Sequence, residues 1–321
     1  MAVRSEARKI MSVHEEKPAL PGEPTPDREK PTSGETPRVP SGEQWPSWGG
    51  MGTDPAPMEV GPYPRAKTYP ADLQISWSWP HFAVFVVFVI SLLLSVPFGL
   101  FAIFGPHGNM TQELLQKFLS EPQVSLGGTV VIFALLLFFL YVTLALLRGQ
   151  PFWRTLGWRK LVPASPALPR NPFAYLFAGS GLSLFVALAT TGMKTPESAP
   201  IEELFKNPHT AMLFVAMAVF VAPLVEETLF RGYLYPMFAR SFGVTPAILL
   251  TGVLFGLMHG AQTAWTWGLV AMLTLVGIVF TFVRARTGSV LASFMMHLGY
   301  NLLIALVTGV STHWFTKMPT N

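Results

Sequence analysis

Apolar runs of about 18 residues or more recur from His81 onward, and a run of that length is what an α-helix needs to cross the hydrocarbon core of a bilayer. Lipid offers the backbone no hydrogen-bond partners, so a chain carrying several such runs is driven to a bundle of helices that satisfy their own N–H and C=O groups. Half of the 321 residues are hydrophobic, 12% are charged and the mean hydropathy is +0.42, values outside the range of an ordinary soluble domain. The sequence has no cysteine, which removes disulfides and thiolate chemistry from consideration.

The expected fold is all-α: a polytopic transmembrane helix bundle of about seven spans behind a disordered N-terminal tail. The spans are placed at residues 81–104, 124–147, 172–192, 210–240, 244–258, 263–283 and 289–308. The loop at 148–171 carries Arg148, Arg154, Arg159, Lys160 and Arg170 without an acid, and Arg284 and Arg286 mark a second basic turn. The loops at 105–123 and 193–209 carry acids with few bases. The positive-inside bias then puts the N-terminus in the cytoplasm and the C-terminus outside. The net charge of +4 reflects these loops and gives no sign of a nucleic-acid partner. The segment at 152–158 is either an amphipathic piece on the inner surface or a basic loop that holds orientation.

Residues 1–75 mix both charge signs with many prolines and no apolar run, the composition of a disordered cytoplasmic tail. No secretory signal pattern opens the sequence, so this tail is expected to stay in the compartment where it is made. Tyr69, Trp77 and Trp79 are expected as interface anchors ahead of the first span. The organisation reads as tail at 1–75, N-terminal transmembrane helices at 76–209, a helical core at 210–310 that carries the polar groups, and a C-terminal tail at 311–321.

Those polar groups begin with Glu226, Glu227 and Arg231, set in an otherwise apolar run. A charged side chain near the bilayer centre costs roughly 2.5–3.5 kcal/mol on insertion scales, so three together mark a functional site. On a helix Glu227 and Arg231 share a face and can pair, while Glu226 projects about 100° away and is left free for chemistry. Two of the seven histidines, His259 and His297, also fall inside spans, and Asn301 lies one turn after His297 on the same face. If the fourth and fifth spans form a hairpin that turns at Ser241–Gly243, Glu226 and His259 both lie roughly 21 to 22 Å from the turn at 1.5 Å per residue. By the same measure His297 lies roughly 16 Å from the basic turn at Arg286. Gly252, Gly256 and Gly260 repeat every four residues, a stripe for close helix packing in support of that site.

A free carboxylate, two imidazoles and an amide are the parts for activating water and stabilising an oxyanion at an amide bond. Glu226 would take the proton from water, His259 would hold that water, and His297 with Asn301 would donate to the oxyanion. Glu226, His259 and His297 are equally a donor set for zinc. A different class uses the same groups as an ion relay, in a proton-coupled carrier or an immunity or scaffold protein, although no repeat relates the two halves as carriers commonly show.

The motifs Glu226-Glu227-Thr228-Leu229-Phe230-Arg231, Phe255-Gly256-Leu257-Met258-His259 and His297-Leu298-Gly299-Tyr300-Asn301 resemble, in order and spacing, those of the CPBP intramembrane proteases. That family includes the type II CAAX prenyl endopeptidases and the lysostaphin-resistance-protein-A-like and bacteriocin-processing proteins. The resembling region covers residues 211–304. The resemblance implies an endopeptidase of a bacterial inner membrane, acting on a membrane-associated protein or peptide, with a site that opens toward the cytosol. It implies Glu226 as the catalytic glutamate, Glu227 and Arg231 in support, His259 in water activation, and His297 and Asn301 at the oxyanion. In the prenyl endopeptidases the substrate is a prenylated C-terminal tripeptide, so cleavage is expected near a C-terminus or within a membrane-associated substrate.

Overall fold

Prolines and short polar side chains mark where the helices begin. In the computed structural model, which describes residues 69–106, 110–162, 167–193 and 208–315, α1 (Trp79–Phe104), α3 (Pro122–Leu146) and α5 (Pro172–Ala189) each carry proline in the first turn. Proline suits that position because its missing N–H would have no intrahelical partner there. Asn171 caps α5 by accepting from Phe173 N–H, and Thr111 caps α2 (Gln112–Ser120) by accepting from Leu114 N–H. A single turn, α4 (Phe152–Thr155), precedes α5. After α5 come α6 (Pro208–Phe242), α7 (Val244–Met258), α8 (Trp267–Thr287) and α9 (Val290–Ser311).

The fold is all-helical, with no strand among the described residues. Six helices are long and apolar enough to cross a membrane, and α7 is a shorter apolar helix that packs between α6 and α8. The seven expected spans are thus present as six long helices and one short one. Gly243, at φ +90°, forms the turn between α6 and α7 where the hairpin was expected. The structure adds α2 in a segment read as loop, because its apolar residues Leu114, Leu115 and Phe118 are too few for a span yet enough to pair with α1 and α3.

Close approach is built with glycine. A Cβ at Gly252 would stand 2.7 Å from Ile278 N, and one at Gly256 would stand 2.8 Å from Thr274 N, so these two glycines let α7 lie directly on the α8 backbone. Gly260 lies beyond the helix, against the Trp265 ring. Gly179 and Gly299 do the same for α5 and α9, where a Cβ would overlap the carbonyls of Met296 and Leu176.

Residues 1–68 of the expected tail lie outside the described residues, as do 316–321 of the C-terminal one. Residues 69–78 form a strap across one end of the bundle, with a 3-10 turn at Ala71–Leu73 and Leu73 buried. Arginines from several elements hold it. Arg284 pairs with Asp72 at 3.1 Å and donates to its carbonyl, Arg159 donates to Ala71 O, Arg240 to Ile75 O, and Arg148 to Ser76 O. Trp77 is a core residue, not an interface anchor: it is 3% exposed, stacks on Tyr233 and donates to the Tyr233 carbonyl. Tyr69 sits against the Arg240 guanidinium, and Trp79 stays exposed while donating to Ser241. The segment at 152–158 does not lie flat on the surface. Leu156 is fully buried and Trp158 donates to Thr228 Oγ1, so the segment plugs into α6.

Candidate active site

The site is built on an α6 that is not uniform. Two π-helical stretches, Met217–Val221 and Thr228–Leu234, flank the short α-helical piece Ala222–Glu227 that carries both glutamates. Each stretch ends two residues before a proline, Pro223 or Pro236, whose ring crowds the carbonyl a turn earlier and whose nitrogen cannot donate. Widening that turn relieves the clash and frees carbonyls for other partners. Asn301 uses one of these, donating from Nδ2 to Ala218 O at 2.7 Å.

Glu227 and Arg231 form a buried pair, both at 0% exposure, with Nη1 2.7 Å from Oε1. The other guanidinium nitrogens donate to Gly277 O at 3.0 Å and Thr281 Oγ1 at 3.3 Å on α8. The guanidinium carbon stands 4.5 Å from the centroid of the Phe255 ring and 5.3 Å from that of Phe280. A buried charge pair is tolerable when its remaining hydrogen-bonding groups are satisfied, and here Arg231 is satisfied on three sides. Glu227 Oε1 accepts a second bond, from His297 Nδ1 at 2.9 Å.

That bond fixes the His297 tautomer. A carboxylate oxygen only accepts, so the proton sits on Nδ1 and Nε2 faces Glu226, 3.9 Å from its Oε2. His259 is fixed in the same manner: its Nδ1 donates to the Phe255 carbonyl at 2.8 Å, and its Nε2 stands 4.0 Å from the same Glu226 Oε2. Glu226 Oε2 itself is buried and makes no hydrogen bond. The two imidazoles therefore aim unprotonated nitrogens at one unpartnered carboxylate oxygen, across gaps too long for a direct bond and suited to a bridging water.

A cavity of about 750 Å³ opens from this point, and Glu226, His259, His297 and Asn301 all line it. Glu227 and Arg231 lie behind its wall. All six residues singled out from the sequence thus converge on one region. The depth estimates placed Glu226 and His259 level, and the 4.0 Å separation agrees. The partners that hold Arg231, namely Thr281, the Gly277 carbonyl and the Phe255 and Phe280 rings, were not foreseen. A signal for one pair was present: Gly277 and Thr281 lie four apart, a small and a polar residue on one face of an apolar span.

For zinc, the donors fit in kind. Two imidazoles with Nδ1 anchored and Nε2 free, beside a carboxylate, are a common zinc set. They do not fit in spacing: ligands that share one tetrahedral ion at about 2.0–2.1 Å stand roughly 3.4 Å from one another. The separations here are 3.9 and 4.0 Å, and no ligand cluster of three is found among the described residues.

Residues 208–303, a segment that holds all six side chains, match the family model for type II CAAX prenyl endopeptidase Rce1-like proteins. Through this segment, under a third of the chain, it is similar to the CPBP family. That match and the six helices long and apolar enough to cross a membrane support an integral membrane protein with a segment similar to the CAAX-type intramembrane proteases. No curated protein and no solved structure matches the chain.

Proposed function

We propose that the chain is an intramembrane endopeptidase that hydrolyses a peptide bond of a membrane-associated substrate, lipidated or cut near its C-terminus, with Glu226 as the general base. The observation that carries this is Glu226 Oε2, buried and unbonded between His259 Nε2 and His297 Nε2. A water at that point donates one hydrogen to the Glu226 carboxylate and the other to His259 Nε2, which leaves a lone pair for the substrate carbonyl carbon.

As the water oxygen bonds to that carbon, its proton passes to Glu226 and negative charge collects on the carbonyl oxygen. Asn301 has a second Nδ2–H beyond the one given to Ala218 O, and it donates to that oxygen. His297 donates there only as the imidazolium, because its neutral form spends its proton on Glu227. Glu226 then returns the proton to the amide nitrogen, the C–N bond breaks, and a carboxylic acid and an amine leave, which become carboxylate and ammonium when the acid's proton passes to the amine.

Zinc, when bound, would take Glu226, His259 and His297 and supply Lewis acidity to a water or carbonyl, after the three donors close by a few tenths of an ångström. The water-bridged arrangement needs no such movement. The substrate is tested by comparing the membrane proteome of cells that carry the wild-type chain with that of cells carrying Glu226→Gln. A protein that accumulates uncut only in the variant supports the peptidase reading, and identical proteomes count against it.

A further inference from the structure

The cavity runs from Glu226 in one direction only. Along α9 its lining continues from His297 through Asn301 to Thr308, roughly 16 Å farther from the basic turn at Arg284 at 1.5 Å per residue. Along α6 it continues backward to Phe214, away from Arg240, and on α3 it is lined by Ser125 and Thr129 near the helix start, at the end remote from Arg148. None of its lining comes from the half of the bundle that carries the arginines. That half is filled: Leu156, Tyr233, Phe280 and Val290 are fully buried there, and Trp77 closes over Tyr233 beneath the arginine-held strap.

Charge gives the two ends opposite identities. Among the described residues the filled end carries Arg148, Arg154, Arg159, Lys160, Arg170, Arg240, Arg284 and Arg286 against Asp72 alone. At the other end the charged described residues are Glu113, Lys117 and Glu121, which carry no basic excess. Short loops rich in Lys and Arg stay in the cytoplasm. Among the described residues the cavity has no charged lining side chain besides Glu226 and the two histidines, and its far part is apolar with hydroxyl and amide groups such as Ser125, Thr129, Gln262 and Thr308.

We propose that Glu226 is reached from the extracytoplasmic face, and that the cavity takes a membrane-anchored peptide whose cleavage site lies at its extracytoplasmic end between uncharged residues. This rests on the peptidase reading of the site, and it reverses the cytosolic opening that the family resemblance implies. A charged residue beside the scissile bond would lose its hydration in a cavity that offers no counter-charge, and that excludes such substrates. Hydroxyls and amides along the route serve the N–H and C=O groups of an extended peptide.

The absence of cysteine makes the test direct. Full-length chains carrying Ser125→Cys, Thr129→Cys or Arg286→Cys are exposed to a membrane-impermeant maleimide in intact cells and in inverted vesicles. The expected result is labelling of Ser125→Cys and Thr129→Cys in intact cells and of Arg286→Cys only in inverted vesicles. A bulky maleimide on Thr129→Cys is expected to stop cleavage, and the same label on Arg286→Cys to leave it intact. Labelling of the cavity positions from the same side as Arg286→Cys, or full turnover with Thr129→Cys blocked, overturns the proposal. Sidedness is read without any cleavage, so failure of the peptidase reading would show separately, as a lack of turnover in the unlabelled chain.

Discussion

His297 and Glu227 lie on different spans, and their contact at 2.9 Å ties the two halves of the site together through the same Oε1 that accepts from Arg231. The bond aims His297 Nε2 at Glu226. The two adjacent glutamates differ in that Glu227 is paired with Arg231 and Glu226 has no such cation.

Removing the cation should expose that dependence. Arg231→Met leaves Glu227 buried without its countercharge, and loss of one partner of a buried pair costs about 3–5 kcal/mol. Unfolding in detergent should show that loss. The double variant Glu227→Gln with Arg231→Met should recover much of the stability and little of the activity, because a neutral amide holds the His297 ring less firmly than the carboxylate does.

The proposed mechanism puts His259, its ring set by the Phe255 carbonyl, on the water, so His259→Ala should lower kcat by about 10²–10⁴-fold with KM within a few-fold. Steady-state kinetics on a fluorogenic peptide in proteoliposomes separates the two constants. An effect confined to KM would make His259 a substrate contact.

Close helix contact carries the site as much as the polar groups do. A larger side chain at Gly256 has only Thr274 and the Val270 carbonyl to meet, so Gly256→Val should cost about 1–3 kcal/mol and displace α7, with His259 at its end, from α8. Thermal unfolding and turnover of the variant should fall together. Full activity with lowered stability would show that α7 moves without carrying His259 away.

The strap makes a separate prediction. Asp72→Ala leaves the buried Arg284 guanidinium with the Asp72 carbonyl in place of the carboxylate, and the strap should loosen. Limited proteolysis in detergent should then cut near residues 69–78 sooner than in the wild-type chain. Unchanged protection would mean that Trp77 and the other arginines hold the strap without Asp72.

The spans and the depth of Glu226 and His259 were legible because both follow from apolar length and helical rise, which each segment carries locally. The lateral order of the helices was not. Thr281 and the Gly277 carbonyl are ordinary span residues until α8 is known to lie beside Arg231. Leu156 and Trp77 were misread for a related reason: they lie in short segments with no periodicity, and their burial comes from grooves formed by α6 and the arginines around it. The π-helical turns were not read from the sequence, where Pro223 and Pro236 mark a disturbance in the span but not that it widens the helix.

Spacing wider than zinc ligands share predicts turnover that survives chelation. Purified chain treated with a strong chelator should keep its activity and carry well under one equivalent of zinc by elemental analysis. Activity lost to chelator and restored by zinc would place the ion on Glu226, His259 and His297.

The central claim is that Glu226 is the base, and Glu226→Gln tests it with the fewest side effects because the amide keeps the shape of the carboxylate. Purified in detergent, the variant should unfold at the wild-type temperature while peptide cleavage falls by about 10²–10⁴-fold. Cleavage within a few-fold of wild type in that folded variant would contradict the account.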